Sequence, residues 1–160
     1  MTTLSDDLDA WLLGVIQARM PNAEHRSVET VTAVTTLLAR VAYADGQYTD
    51  EERLRVRQEL SLVLGMDDAD VEAVCAALGE DIARLSALPV EPATAVLKAR
   101  FDPHMRADAV KVLVELAAAD RDFSPAEVGR IREVAVQLDV AADLVSALLA
   151  RAHQLASSQE

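Results

Sequence analysis

The chain is poor in the residues that build sheets and in those that interrupt helices. Aromatic residues are 3% of it, and there are only five glycines and five prolines in 160 residues, whereas 51% of the residues are hydrophobic. Aromatic residues are enriched in strands, and glycine and proline interrupt helices. Since the apolar residues here are mainly alanine, leucine and valine, the composition predicts an all-α fold. The length is that of one domain with a continuous core.

Residues with nucleophilic or soft-metal chemistry are scarce as well. Cys75 is the only cysteine, which excludes an internal disulfide, and it lies within the apolar helical stripe of "VEAVCAALG". We expect a buried thiol that behaves as a small hydrophobic group rather than a nucleophile. The three histidines are scattered without zinc-ligand spacing, and no nucleophile elbow or glycine-rich phosphate loop is present. The sequence therefore predicts a protein that is not an enzyme.

Positive charge and long apolar runs are also lacking. The formal net charge is −12, which disfavours nucleic acid and anionic lipid as partners. No apolar run approaches the roughly 18 residues of a membrane-spanning helix, so direct membrane insertion is not expected. The N-terminal "MTTLSDDLD" has no basic segment typical of a signal peptide, so the expected location is cytoplasmic. Such an acidic chain suits a cation or a basic protein partner.

Helical periodicity and helix-capping signals divide the chain into about seven to nine helices. Ser27 is predicted to cap a helix that ends at Gly46, where glycine supplies the left-handed turn. Two S/T-x-x-E capping boxes, Thr49–Glu52 and Ser124–Glu127, each open a further helix. Residues 79–92 are predicted to be a connector, with a short helix broken by two prolines.

The central part of the chain is predicted to be an internal repeat. The segment "LLARVAYADGQYTDEERLRVRQELSLVLG" aligns with "VLVELAAADRDFSPAEVGRIREVAVQLD". We expect two copies, at about 27–79 and 103–153, to pack around a pseudo-twofold axis, because neither copy buries its apolar face alone. Residues 1–26 would form an N-terminal covering helix and linker, and residues 154–160 a disordered tail. The prediction is a single-domain helical bundle.

Each copy places an aspartate where one helix ends and a glutamate seven residues later, in the next helix. Asp45 and Asp120 follow apolar helical stripes at the C-terminal ends of helices, where an anion is disfavoured by about 0.3–1 kcal/mol. Twofold packing would bring the carboxylates together, where a cation would relieve their repulsion. Oxygen ligands favour Ca²⁺, Mg²⁺ or Mn²⁺. The candidate ligands are Asp45, Glu52, Asp120 and Glu127, with Glu51 and Asp122 as additional candidates.

A second interpretation needs no metal. The backbone N–H groups that follow each corner can hold the aspartates, and the glutamates then only complete capping boxes. The acidic stretch from Asp45 to Glu80 would in that case serve as a docking face for a basic protein partner. Both interpretations remain open at the level of the sequence.

The duplicated corner resembles a known family. The pattern Asp-Gly-x-aromatic-Ser/Thr/Asp-x-x-Glu is present as "DGQYTDEE" and, with arginine in place of glycine, as "DRDFSPAE". This duplicated pattern between alanine-rich helices is similar to the TerB-like family of tellurite-resistance proteins. Related domains occur at the N-terminus of a membrane-anchored DnaJ-type co-chaperone. The resemblance implies an all-helical duplicated bundle, a cation-binding acidic surface, a role in tellurite or general stress response, and membrane-associated protein partners. Arg121 replaces the family glycine in the second copy, and its guanidinium offers another way to neutralise the carboxylates.

Overall fold

The structure, a computed structural model, describes residues 9–119 and 124–158, with side chains as far as residue 155. Within these ranges the protein is an all-helical single domain without strands, which confirms the predicted fold class. The described residues form eight helices: α1 (Ala10–Arg19), α2 (His25–Ala42), α3 (Asp50–Leu62), α4 (Asp68–Ser86), α5 (Glu91–Arg100), α6 (Pro103–Ala118), α7 (Pro125–Gln137) and α8 (Ala142–Ser158). No helix in the described ranges is long and apolar enough to cross a membrane.

Helix α2 is the centre of the bundle. It packs against α1, α4, α5, α6 and α7, and buried residues occur on all of its sides. The buried threonines of α2 are compatible with this position because their hydroxyls donate within the helix. Thr32, Thr35 and Thr36 bond the carbonyl oxygens four residues earlier at 2.7, 2.8 and 3.0 Å. A polar side chain satisfied in this way is buried without the cost of an unmade hydrogen bond.

The two capping boxes predicted from the sequence are present, whereas the cap predicted at Ser27 is wrong. The side chains of Asp67 and Asp102 cap α4 and α6, and both capping boxes form. Ser27 is not a cap, because α2 begins two residues earlier, at His25. Its N-cap residue is Glu24, which makes no side-chain cap bond. The first turn closes instead through the Val28 N–H, which donates to the Glu24 carbonyl at 3.1 Å.

The short helix predicted within the connector at residues 79–92 is present, as the part of α4 that follows a bend and ends at Ser86. Gly79 does not end the helix. A side chain at this position would meet Arg53, whose Nη1 lies 3.2 Å from the place of a Cβ atom. Helix α4 instead bends at Asp81, whose φ and ψ are −137° and 30°. The chain end also differs from the expected disordered tail: α8 continues through residues 154–158, a stretch without glycine or proline to stop it.

The two acidic corners share one local arrangement, while the internal repeat itself stays a prediction. Helices α3 and α7 each have 13 residues and each begin with a capping box in which a glutamate is the third helical residue. The twofold relation between whole copies stays a prediction.

The surroundings of the only cysteine, Cys75, fit a packing role rather than a reactive one. Cys75 is half-buried on α4 and packs against the core. Burial raises the pKa of its thiol, which lowers the thiolate fraction at neutral pH and with it the reactivity of the sulfur.

Candidate cation site at the acidic corners

The first acidic corner is the turn between α2 and α3. Helix α2 ends at Ala42, and Gly46 has a φ of +81°, the left-handed conformation predicted for it. Asp45 lies in this turn with an exposed side chain, and its Oδ1 accepts from the Gln47 N–H at 3.1 Å. The prediction that Asp45 continues the inward stripe of its helix is therefore wrong, because the helix stops three residues before it. The hydrogen bond to a backbone N–H two residues on is that of an Asx turn.

The capping box of α3 buries a carboxylate at this corner. The Thr49 N–H donates to Glu52 Oε1 at 3.0 Å, and the Glu52 N–H donates to Thr49 Oγ1 at 3.1 Å. The Thr49 hydroxyl also bonds Glu52 Oε1, at 3.2 Å. Glu52 is only 2% exposed, an unusual position for a glutamate, since charged side chains are rarely fully buried.

The capping box of α7 repeats this arrangement. The Ser124 N–H and hydroxyl donate to Glu127 Oε1 at 3.4 and 3.0 Å, and the Glu127 N–H donates to Ser124 Oγ at 3.1 Å. Glu127 is 1% exposed. Its second oxygen, Oε2, is buried and has no hydrogen-bond partner within residues 9–119 and 124–158. Helix capping therefore accounts for one oxygen of Glu127 and leaves the other unexplained.

The two corners come close enough in space to affect each other's ionisation. Burial is the main cause that raises the pKa of Glu127 from 4.5 to about 8; the charges of Glu52 and Asp45 contribute to this rise, and the hydrogen bonds from Ser124 oppose it. At neutral pH Glu127 is therefore mostly protonated, unless a positive charge lies beside it. The charges of Glu52 and Asp45 on the first corner thus act on Glu127 at the second.

The remaining sequence candidates are not part of this described group. Glu51 is exposed on α3 and does not contribute to the raised pKa of Glu127. Asp120 and Asp122, together with Arg121, lie outside the described residues. Among the residues that the structure does describe, no three or more histidine, cysteine, aspartate or glutamate side chains are arranged to hold a metal ion. The four-ligand set stays a prediction.

Tyr48 is a neighbour of the site that was not singled out in the sequence. It immediately precedes the capping box of α3 and packs against the core. Arg53 lies 4.7 Å from the centre of its ring. Burial, followed by the charges of Cys75 and Glu52, raises the pKa of its phenol to about 12. Tyr48 therefore stays neutral and supplies an apolar wall, and the aromatic residue in the corner pattern was the available signal for it.

The chemistry of the group is that of oxygen ligands alone. Asp45, Glu52 and Glu127 offer carboxylate oxygens, which suit hard cations such as Ca²⁺, Mg²⁺ and Mn²⁺ better than Zn²⁺ or Cu⁺. The buried Oε2 of Glu127 is the observation that fits such an ion, since a cation beside it would satisfy this oxygen and favour its ionised form.

Comparison with known proteins places the chain in a family. No curated protein and no solved structure matches it. A family model described as "Tellurite resistance protein TerB" matches residues 31–150, a range that contains both capping boxes and Asp45. Since this match covers more than half of the chain, the protein belongs to the TerB family of tellurite resistance proteins.

Proposed function

We propose that this TerB-family protein is a non-enzymatic domain that binds a hard divalent cation, Ca²⁺, Mg²⁺ or Mn²⁺, where its acidic corners meet. Glu127 and Glu52 are the central ligands in this proposal, with Asp45 at the rim and Asp120 as the fourth. The binding would serve a role in tellurite or general stress response, which membership of the family supports. The observation that carries the proposal is the buried Glu127 Oε2 beside two other carboxylates.

A cation is favoured at this site because an ionised carboxylate is costly to bury without a positive charge beside it. A buried carboxylate can avoid the cost of charge only by taking up a proton or by pairing with a cation. Glu127 has two further carboxylates near it, and these make ionisation harder still. A divalent ion would replace repulsion by attraction for all three carboxylates. Its binding energy would then stabilise the folded protein.

The test is a titration with each ion, followed by amide NMR. We expect Ca²⁺, Mg²⁺ or Mn²⁺ to shift or broaden the amide signals of Gln47, Glu52 and Glu127. Glu127→Gln should abolish the effect without opening the helix start, because glutamine serves equally well as the third residue of a capping box. Asp143→Asn on α8 is the charge-matched control and should respond like the wild type, since it lies beyond the far end of α7.

The absence of any change at these amides at millimolar concentrations of all three ions would contradict the proposal. An equal response of wild type and Glu127→Gln would also contradict it, because the ion would then bind elsewhere on this acidic chain.

A metal-independent docking module is the second candidate function. Exposed acids such as Asp45, Glu51 and Asp68 have no ion pair in the part of the chain that the structure describes, so they are available to a basic partner. Other acids of the same face are already paired with arginines: Glu80 with Arg19, Asp50 with Arg53, and Glu72 with Arg57. This neutralisation weakens the acidic face, which makes docking the less favoured function.

A lysine-rich peptide distinguishes the two functions. Binding that falls with salt and is unaffected by a chelator would support the docking module, because exposed charges are screened by salt. Binding that disappears in chelator would instead make the cation part of the interaction.

A further inference from the structure

A cleft lies at the end of α2 opposite to the acidic corners. It has a volume of about 410 Å³ and is bordered by the start of α2, the connection from α3 to α4, and the corner between α5 and α6. This volume falls within the range of roughly 300–1,000 Å³ that small-molecule sites occupy. The 18 residues of α2 span roughly 27 Å, so the cleft is separate from the candidate cation site.

One rim of the cleft is basic. Arg100 is held in place by Glu29, which its Nη2 contacts at 2.7 Å, and its Nη1 donates to the Arg26 carbonyl at 2.8 Å. Glu29 is buried and balances the charge of Arg100. Arg26 also lines the cleft, and its guanidinium has no ion pair in the described ranges. This rim therefore carries one uncompensated positive charge.

The other rim is acidic. Asp67 caps α4, where its Oδ1 accepts from the Asp70 N–H at 2.9 Å. Asp70 is half-buried, and no cation pairs with it among the described residues. Burial and then the neighbouring Asp67 raise the pKa of the Asp70 carboxyl. Two carboxylates side by side without a cation make this rim a place that a positive group would stabilise.

The two rims face a common apolar floor but are not joined across it. The floor contains Val31, Val34, Leu64, Met66, Phe101 and Met105. It continues into a smaller recess that shares Val34 and Leu64 and is lined only by apolar side chains. No ion pair links Arg26 with Asp70 in the described structure. The separated charges are thus available to a ligand that spans the floor.

We propose that this cleft binds a short aliphatic peptide, with its terminal carboxylate at Arg26, its terminal ammonium at Asp67 and Asp70, and an apolar side chain over the floor. A single α-amino acid carries both charges on one carbon, whereas a dipeptide carries them at its two ends and leaves its side chains free to contact the floor. The few charged groups at the rims would fix the orientation of the peptide, and the floor would supply the hydrophobic contact with its side chain, as in most small-molecule sites.

The test is an amide NMR titration with the dipeptide Leu-Leu, up to a concentration on the order of 10 mM because weak binding is expected. We expect shifts at Thr30, Met66 and Asp70. N-acetyl-Leu-Leu lacks the ammonium and Leu-Leu amide lacks the carboxylate, so each should bind more weakly than Leu-Leu. Arg26→Gln and Asp70→Asn should each weaken binding of Leu-Leu by about two- to fivefold, the effect of one exposed charge pair.

The controls separate this site from general electrostatics and from the cation site. Arg151→Gln and Asp143→Asn change the same charges on α8, away from the cleft, and should leave binding unaltered. Glu127→Gln should also leave it unaltered. The proposal is overturned if Leu-Leu leaves the cleft amides unshifted, if the capped peptides bind as well as Leu-Leu, or if neither rim variant weakens binding.

Discussion

Replacing Glu127 by glutamine should stabilise the protein at neutral pH when no divalent cation is present. The glutamate is 1% exposed, and its pKa is raised from 4.5 to about 8, first by burial. Glutamine has nearly the same shape, keeps the capping box, and has no charge to bury. The variant should therefore avoid the cost of keeping this carboxyl protonated at a pH where it would ionise in the unfolded chain.

The sign follows from proton binding in the two states. Below about pH 4.5 both states hold the proton, so Glu127 causes no pH-dependent change in the free energy of unfolding. Between pH 4.5 and about 8 the unfolded state has released the proton while the folded state retains it. The free energy of unfolding therefore falls as the pH rises through this window. Each pKa unit corresponds to about 1.4 kcal/mol, so the cost at pH 7 is on the order of 3 kcal/mol.

The assay is urea denaturation of wild type and Glu127→Gln from pH 5 to pH 8 in the presence of a chelator. The two proteins should have similar free energies of unfolding at pH 5, and the variant should be more stable than the wild type by about 2–3 kcal/mol at pH 7. This gain corresponds to an increase in Tm of about 4–12 °C for a chain of this size. Asp143→Asn serves as the exposed control. A variant that is less stable than wild type at pH 7, or whose advantage does not grow with pH, would refute the reasoning.

Four further substitutions test the fold. Gly46→Ala should lower the free energy of unfolding by about 1 kcal/mol, because φ is +81° at this position even though there is space for a side chain. Gly129→Ala in α7 should raise it by a similar amount, because alanine favours a helix more than glycine does. Denaturant midpoints compare the two variants, and a change of the same sign in both would contradict the assigned backbone conformations. Arg100→Met should lower the free energy of unfolding by about 3 kcal/mol, because buried Glu29 loses its arginine partner. An unchanged Tm in thermal unfolding would contradict this expectation. Leu60→Ala, at a fully buried site, should cost about 2–5 kcal/mol in the same assay, and a loss under 1 kcal/mol would contradict its core position.

The sequence predicts the fold well where the signal is local. A capping box needs only two residues three positions apart, and both Thr49–Glu52 and Ser124–Glu127 form as expected. Predictions fail where tertiary packing decides. Gly79 is predicted to end a helix, but α4 passes through it and bends at Asp81. The space for a side chain at Gly79 is limited by Arg53, a contact that no local pattern reveals.

The candidate site was predictable in its residues but not in its burial. Sequence spacing relates Glu52 to Glu127, and the structure brings both near Asp45. No local pattern reveals that the two glutamates are almost wholly buried, since burial depends on how α3 and α7 each pack against other helices, α6 among them. The two interpretations of these residues are also not exclusive. One oxygen of Glu127 serves as a helix cap, and the other remains available for a ligand.

The most direct test of the cation site is calorimetric titration of Ca²⁺, Mg²⁺ and Mn²⁺ near pH 7 in two buffers with different ionisation enthalpies. Comparing the heats in the two buffers measures the protons released on binding. Because Glu127 is mostly protonated without a cation, binding of the preferred ion should release roughly one proton. In Glu127→Gln both the binding and the proton release should be lost. Absence of binding heat for all three ions, or binding by Glu127→Gln with wild-type affinity, would contradict a cation site at the acidic corners.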